Sequence, residues 1–269
     1  MFETATQRNL KSNYPKTGYS CTAAHPLNGL GQHMKNQYVG DINDYRKYAL
    51  LRILAGPGDI RIGVCWMLTP GDGRPDGGMT KYLANPSRYR AHDPDLFDLL
   101  RSVIATPDNR HLALIEASGI VPGAEYFDEI IPDDEEGRSA FFRTAMIKLV
   151  QSDLIFFDPD NGLDVPSKAR GKRDSSKFVY RDEVTTVFNA GKSVLIYQHF
   201  IREERSRFVE RIGRSLKHLM PDASIWAFRT AHVVFVLVVN PLHAAILEKR
   251  AADVVVGSDS LFLQSSLVR

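Results

Sequence analysis

The sequence predicts an α/β protein: a mainly parallel sheet with helices on both faces and an antiparallel hairpin near the C-terminus. Three observations carry that expectation. Short, β-branched apolar runs alternate with longer segments of helical spacing, the pattern of strand–helix–strand crossovers. Most of the runs are almost wholly apolar, as strands covered on both faces require. The last two are separated only by Arg229-Thr230-Ala231-His232, too few residues for a helical crossover, so they should pair antiparallel.

Taken in order, residues 1–33 are rich in Ser, Thr, Asn, Gly and Pro without a sustained apolar period, and are expected to form a flexible N-terminal arm. Residues 34–269 are expected to form one α/β catalytic domain. Ile42, Tyr45, Ala49 and Ile53 follow helical spacing over 41–55, and Gly56-Pro57-Gly58 ends that helix. Residues 60–68 read as a buried strand that runs into the glycine-rich loop starting at Thr69. Helices follow near 95–105 and 110–117, then a strand near 126–131, a helix over 139–150 and a strand over 153–157. A helix over 182–190, a strand over 193–197 and a charged amphipathic helix over 202–219 come next. The hairpin strands, 225–228 and 233–239, precede a helix opened by Pro241 and reaching about residue 252.

Composition narrows the function classes. Of 269 residues, 43% are hydrophobic and 25% charged, and no apolar run approaches the roughly 20 residues of a membrane span. Two cysteines, Cys21 and Cys65, supply neither a disulfide framework nor a cysteine-rich zinc site. With no recognisable secretory signal at the start, a cytoplasmic location is the expectation. The net charge of +2 is too small to demand a nucleic-acid partner, yet Lys168, Arg170, Lys172, Arg173 and Lys177 crowd one stretch. Phosphate contact and an ordinary solvated loop both explain that cluster.

In open parallel sheets ligands lie beyond the carboxyl ends of the strands. The run Asp158-Pro159-Asp160-Asn161-Gly162 follows such a strand and delivers two carboxylates and an amide into a turn stiffened by Pro159 and permitted by Gly162. A turn that uses Asp and Asn to satisfy its own backbone explains the same residues. Gln198 and His199 end the next buried strand, where a histidine can exchange protons near neutral pH or merely bond to backbone. The segment 36–47 approaches a helix N-terminus, with Asp41 as N-cap and Asp44 in the position of a capping-box acid. Capping accounts for Asp41 but leaves Asn36, Tyr38 and Lys47 as candidates for base or phosphate contact. Thr69, where the glycine-rich loop starts, is a further candidate for substrate, and the loop's acids Asp72 and Asp76 are candidates for substrate or metal.

The order of these pieces resembles the bacterial adenine-N6 methyltransferases that act on 23S ribosomal RNA. Tyr38-Val39-Gly40-Asp41-Ile42-Asn43-Asp44-Tyr45-Arg46-Lys47-Tyr48 is similar to their His-Ala-Gly-Asn-x-x-Asp-x-x-Lys-His segment. The run 66–73 stands where their S-adenosylmethionine loop does, and Asp158-Pro159-Asp160-Asn161 stands where their catalytic Asp-Pro-Pro-Tyr does. The resemblance spans about residues 35–250 and implies a methyltransferase-like fold. It also breaks where chemistry is decided: Asn161 replaces the aromatic residue that stacks a flipped base, Asp160 adds a charge, and Pro70 and Asp72 flank Gly71.

Four readings follow. The favoured one is a nucleic-acid base-processing hydrolase, without a cofactor, that cleaves the N-glycosidic bond of a normal or modified base, DNA being the expected substrate. In it Asp158, Asp160, Asn161 and His199 are catalytic, while Asn36, Tyr38, Asp41, Lys47, Thr69, Asp72, Gln198, Lys172 and Arg173 bind substrate, with no metal. The Asp-Pro turn with a later strand-end histidine also looks like the layout of uracil-type DNA glycosylases. The alternative is S-adenosylmethionine-dependent N6-adenine methylation of RNA or DNA. A metal-dependent nuclease using Asp158, Asp160 and Asp72 is weaker, because the catalytic lysine pattern is missing. A nucleic-acid binding module without catalysis would need only basic residues such as Arg170, Lys172, Arg173, Arg202 and Arg205.

Overall fold

Alternation along the strands decides where the core lies. In the computed structural model, which describes residues 34–70, 77–106, 110–257 and 264–268, strand β1 (Ile62–Cys65) turns Val64 to one face of the sheet and Cys65 to the other. Strand β3 (Leu154–Phe157) does the same with Leu154 and Phe156 against Ile155 and Phe157, all four buried. Both faces are therefore covered, which is why these strands read as continuous apolar runs.

Among the described residues seven strands form the sheet. β2 (Glu125–Phe127), β1, β3 and β6 (Ser193–His199) are parallel neighbours. β8 (Val233–Val239) then runs antiparallel to β6, β7 (Ser224–Arg229) antiparallel to β8, and β9 (Gln264–Val268) antiparallel to β7. The hairpin is thus formed as expected, and its second strand, not its first, joins the parallel part. This mixed sheet, with β8 and β9 reversed against the other strands, is consistent with a methyltransferase-like α/β fold. A two-residue ladder of β4 (Gly162–Leu163) and β5 (Phe178–Val179) stands apart from it.

One face carries α1 (Ile42–Ala55), α3 (Pro94–Ala105), α4 (Leu112–Ala117) and α8 (Ala244–Gly257), through residues such as Leu50, Phe97, Ile115 and Leu247. The other carries α5 (Glu135–Lys148), α6 (Arg181–Asn189) and α7 (Arg205–Leu219), through Phe141, Val187 and Ile212. A short helix, α2 (Pro86–Tyr89), lies between α1 and α3 in sequence. Among the described residues no helix is long and apolar enough to cross a membrane.

Three expectations need correction. The strand expected over 60–68 ends at Cys65; Trp66–Thr69 stay buried, but Met67 takes φ 50°, a left-handed kink that breaks the ladder. The strand near 126–131 shrinks to Glu125–Phe127, with Ile130 making only an isolated bridge to Leu68. The capping box at α1 is not made: Asp41 accepts from the Asn43 amide at 2.9 Å, whereas Asp44 turns inward to Lys47. The expected arm, residues 1–33, and the loop acids Asp72 and Asp76 lie outside the described residues.

Candidate functional site

The carboxyl ends of β1, β3 and β6 share one edge of the sheet, and α1 packs beside them. A cavity of about 650 Å³ opens there, in the size range of small-ligand sites. Its interior is built around Lys47. The Lys47 ammonium donates to Asp44 Oδ1 at 2.8 Å and to Asp158 Oδ2 at 2.9 Å. All three residues are buried, at 6%, 4% and 2% exposure for Lys47, Asp44 and Asp158. The ammonium also sits 5.5 to 5.8 Å from the ring centres of Tyr48, Trp66 and Tyr197, an arrangement that favours a cation.

One ammonium thus serves two carboxylates, and the charge states follow. Burial pushes the Asp44 carboxyl up from 3.8 to about 6, against the pull of Lys47, with Asp158 adding repulsion. For Lys47, burial works downward, but the two carboxylates outweigh it and hold the ammonium above its ordinary range. Two carboxyl groups thus share one ammonium in a setting of low dielectric, where charges act strongly.

The turn after β3 is held from three sides. Thr69, itself buried, donates its hydroxyl to Asp160 Oδ2 at 2.7 Å. The Asn161 amide donates to the Lys177 carbonyl at 2.9 Å, and the His199 amide donates to the Asn161 carbonyl at 3.1 Å. Gln198, buried at the end of β6, accepts from the Leu163 amide at 2.8 Å and donates to the carbonyls of Asn161 (3.1 Å) and His199 (2.7 Å). Gly162 takes φ +117° beneath it, and a Cβ there would fall 2.3 Å from Gln198 Oε1. Glycine is needed at this point for both its torsion and its size.

Of the sequence-predicted residues, Tyr38, Asp41, Lys47, Asp158, Asp160, Asn161 and His199 line the cavity. Thr69 and Gln198 stand behind it and hold its turn. Asn36 is employed elsewhere: its side-chain oxygen accepts from the Leu112 amide at the start of α4, and its nitrogen meets His111 Nδ1 at 3.2 Å. Lys172 and Arg173 are exposed and do not line the cavity; Lys177 from the same stretch does. That basic cluster is partly neutralised from within, since Lys168 and Lys177 bond Asp174 at 3.5 and 3.3 Å and Arg170 pairs with Asp182.

Sequence reasoning did not single out Asp44, Tyr48, Trp66, Tyr197 or His232 as site residues, all of which reach the cavity. The only signal available was Asp44, spaced one helical turn before Lys47. Among the described residues no group of three His, Cys, Asp or Glu side chains is placed to hold a metal ion.

The fold and the site together define an α/β protein with an aromatic, acid-bearing cavity at a strand-end edge. No protein-family model matches the sequence, and a search of curated proteins finds no match.

Proposed function

We propose that this protein is a base-processing enzyme that hydrolyses the N-glycosidic bond of a nucleoside unit in nucleic acid. The observation that carries the reading is one cavity in which two carboxylates on a braced turn, a strand-end histidine and aromatic walls converge. Aromatic faces receive an extruded base, as enzymes that act on bases within a strand require. Asp160, fixed by Thr69, accepts the proton of the attacking water as its oxygen bonds to C1′. The C1′–N bond breaks with its electron pair going to the base, which takes a proton from protonated His199. The carboxylates of the Asp44–Lys47–Asp158 set stabilise the oxocarbenium-like charge that develops on the sugar.

The reversed strand β8 favours a second reading, amino methylation with S-adenosylmethionine, because it gives the sheet a methyltransferase-like form. The described residues do not fit that cofactor well. The chain after β1 is closed by the buried side chains Trp66–Thr69, with Trp66 stacked on Tyr126 and its indole N–H on Glu116. Gly77 lines the cavity, but its lack of a side chain serves close packing on the Gln37 carbonyl, which a Cβ there would approach to 2.4 Å. A nuclease reading is disfavoured on chemical grounds, since Asp158, one of the carboxylates it needs, already holds the buried Lys47 ammonium that it shares with Asp44.

The test is mass spectrometry of the bases and nucleosides released from modified and unmodified DNA and RNA, with and without S-adenosylmethionine. Free base and an abasic product without cofactor support hydrolysis. Methylated nucleoside formed only with the cofactor replaces it by methyl transfer, and strand breaks abolished by a chelator replace it by metal-dependent cleavage.

A further inference from the structure

The polar groups of the cavity are sorted across the sheet. The acids lie toward β1 and α1: Asp44 and Asp158 on Lys47, and Asp160 turned to Thr69. Toward β6 and β8 the lining side chains are donors. Backbone hydrogen bonds tie these donors into a row. The Asn161 amide bonds the Lys177 carbonyl at 2.9 Å, the His199 amide bonds the Asn161 carbonyl at 3.1 Å, and the Phe200 amide bonds the His232 carbonyl at 3.4 Å. His199 also stands opposite Val233, the neighbour of His232, in the β6–β8 register. Lys177, Asn161, His199 and His232 therefore come from four chain segments to one side of one cavity, which all four line.

The Lys177 ammonium shares its carboxylate partner. Asp174 is the carboxylate beside Lys177, at 3.3 Å, and it is shared with Lys168 at 3.5 Å and Arg173 at 4.0 Å. Three cations share one carboxylate, and the Lys177 ammonium, with three N–H donors, can take a further acceptor. Both histidines are exposed there, so an anion can reach them without first losing its own hydration.

We propose that this row is a phosphate-binding subsite. An ammonium, a carboxamide and two imidazoles, each able to donate even when the imidazoles are neutral, match the three oxygens of a phosphoryl group better than the two of a carboxylate. The proposal rests on the base-site reading only for its orientation: with a base between the aromatic walls, the sugar meets the acids and its phosphate meets the row, protonated His199 giving one ring N–H to the phosphate and the other to the departing base. The phosphate can belong to a polynucleotide strand or to a free nucleotide, since the recognising chemistry is shared.

The test uses the full chain. Histidine C2–H resonances are followed by NMR during titration with inorganic phosphate, and calorimetry compares a nucleoside, its 5′- and 3′-monophosphates and a trinucleotide. Phosphate should shift both His199 and His232, and a phosphorylated ligand should bind about tenfold or more tightly than the nucleoside, the scale of about 1.4 kcal/mol. The double variant Lys177→Ala, His232→Gln should erase that difference while leaving nucleoside affinity and near-UV circular dichroism unchanged. A gain seen with the mononucleotides assigns the site to free nucleotides, and a gain seen only with the trinucleotide assigns it to a strand. Phosphate shifts without any nucleoside binding leave the subsite standing and remove the base-site reading. Histidine resonances unmoved by phosphate, or equal affinities for nucleoside and phosphorylated ligands, overturn the subsite.

Discussion

At the scale of single residues, Lys47 is the group on which the cavity depends. Removing it takes from Asp44 and Asp158, both buried, the ammonium they share. Lys47→Ala should therefore destabilise the fold by about 3–5 kcal/mol, read from urea unfolding. Asp158→Asn keeps a hydrogen-bonding oxygen for Lys47 and Asp160→Asn keeps one for Thr69, so both should fold normally while base release falls at least about 100-fold. Unchanged turnover in both would remove them from the chemistry. Asp44 gives a pH signature. Its folded-state pKa, about 6, lies above the ordinary 3.8, so between those values the folded protein binds more protons than the unfolded chain. Stability contributed by this group therefore rises as pH falls through 6, and is lost as pH rises through it. Relative to Asp44→Asn, which cannot titrate, the wild type should gain on the order of 2 kcal/mol between pH 7 and pH 4. A difference between the two proteins that stays constant over that range would count against a buried, surplus carboxylate.

At the scale of elements, the turn between β3 and β4 is the piece that converts a strand into a site. β3 needs its apolar side chains on both faces, so Asp158 is the first residue at which a carboxylate can emerge. Beyond it the chain is pinned by Gln198, whose bonds to the Leu163 amide and the Asn161 carbonyl join the turn and β4 to the end of β6. Gly162→Ala meets both a φ of +117° and the Gln198 side chain, and should lower the melting temperature by several degrees, as a loss of about 1–3 kcal/mol implies. Gln198→Ala should spare the sheet but loosen the turn, lowering turnover more than stability. An equal proportional loss of both would make Gln198 a packing residue only. On the opposite face Arg138 plays a comparable part for the long excursion between β4 and α6. It is 1% exposed, holds Glu183 with two bonds of 2.6 and 2.9 Å, and reaches the Phe178 carbonyl at 2.7 Å.

At the scale of the described fold, the cavity is made by parts far apart in sequence: Lys47 and Asp158 are 111 residues apart and in hydrogen-bond contact. A ligand seated there links α1, β3, β6 and the β7–β8 turn, and binds the folded protein alone. The preferred nucleoside or nucleotide, at about 100 times its dissociation constant, should stabilise the fold by about 2.7 kcal/mol and raise the melting temperature by a few degrees. That shift should shrink in Asp158→Asn if the ligand reaches the cavity interior, and be unaffected if it binds elsewhere.

The sequence by itself determined the alternation of elements, the two covered faces and the antiparallel hairpin, because each follows from local period and loop length. It also marked Asp158, Asp160, Asn161 and His199, since strand-end residues in a parallel sheet fall at a foreseeable edge. It could not separate Asn36, which is employed at α4, from Tyr38, which lines the cavity, nor distinguish Thr69 and Gln198 as supports from groups that meet a ligand. Asp44 looked like a cap because capping is local, whereas its actual partner Lys47 is itself held by Asp158 across the fold. Only the tertiary structure decided these roles: burial and charge pairing depend on which distant segments meet, and no periodicity along the chain encodes that.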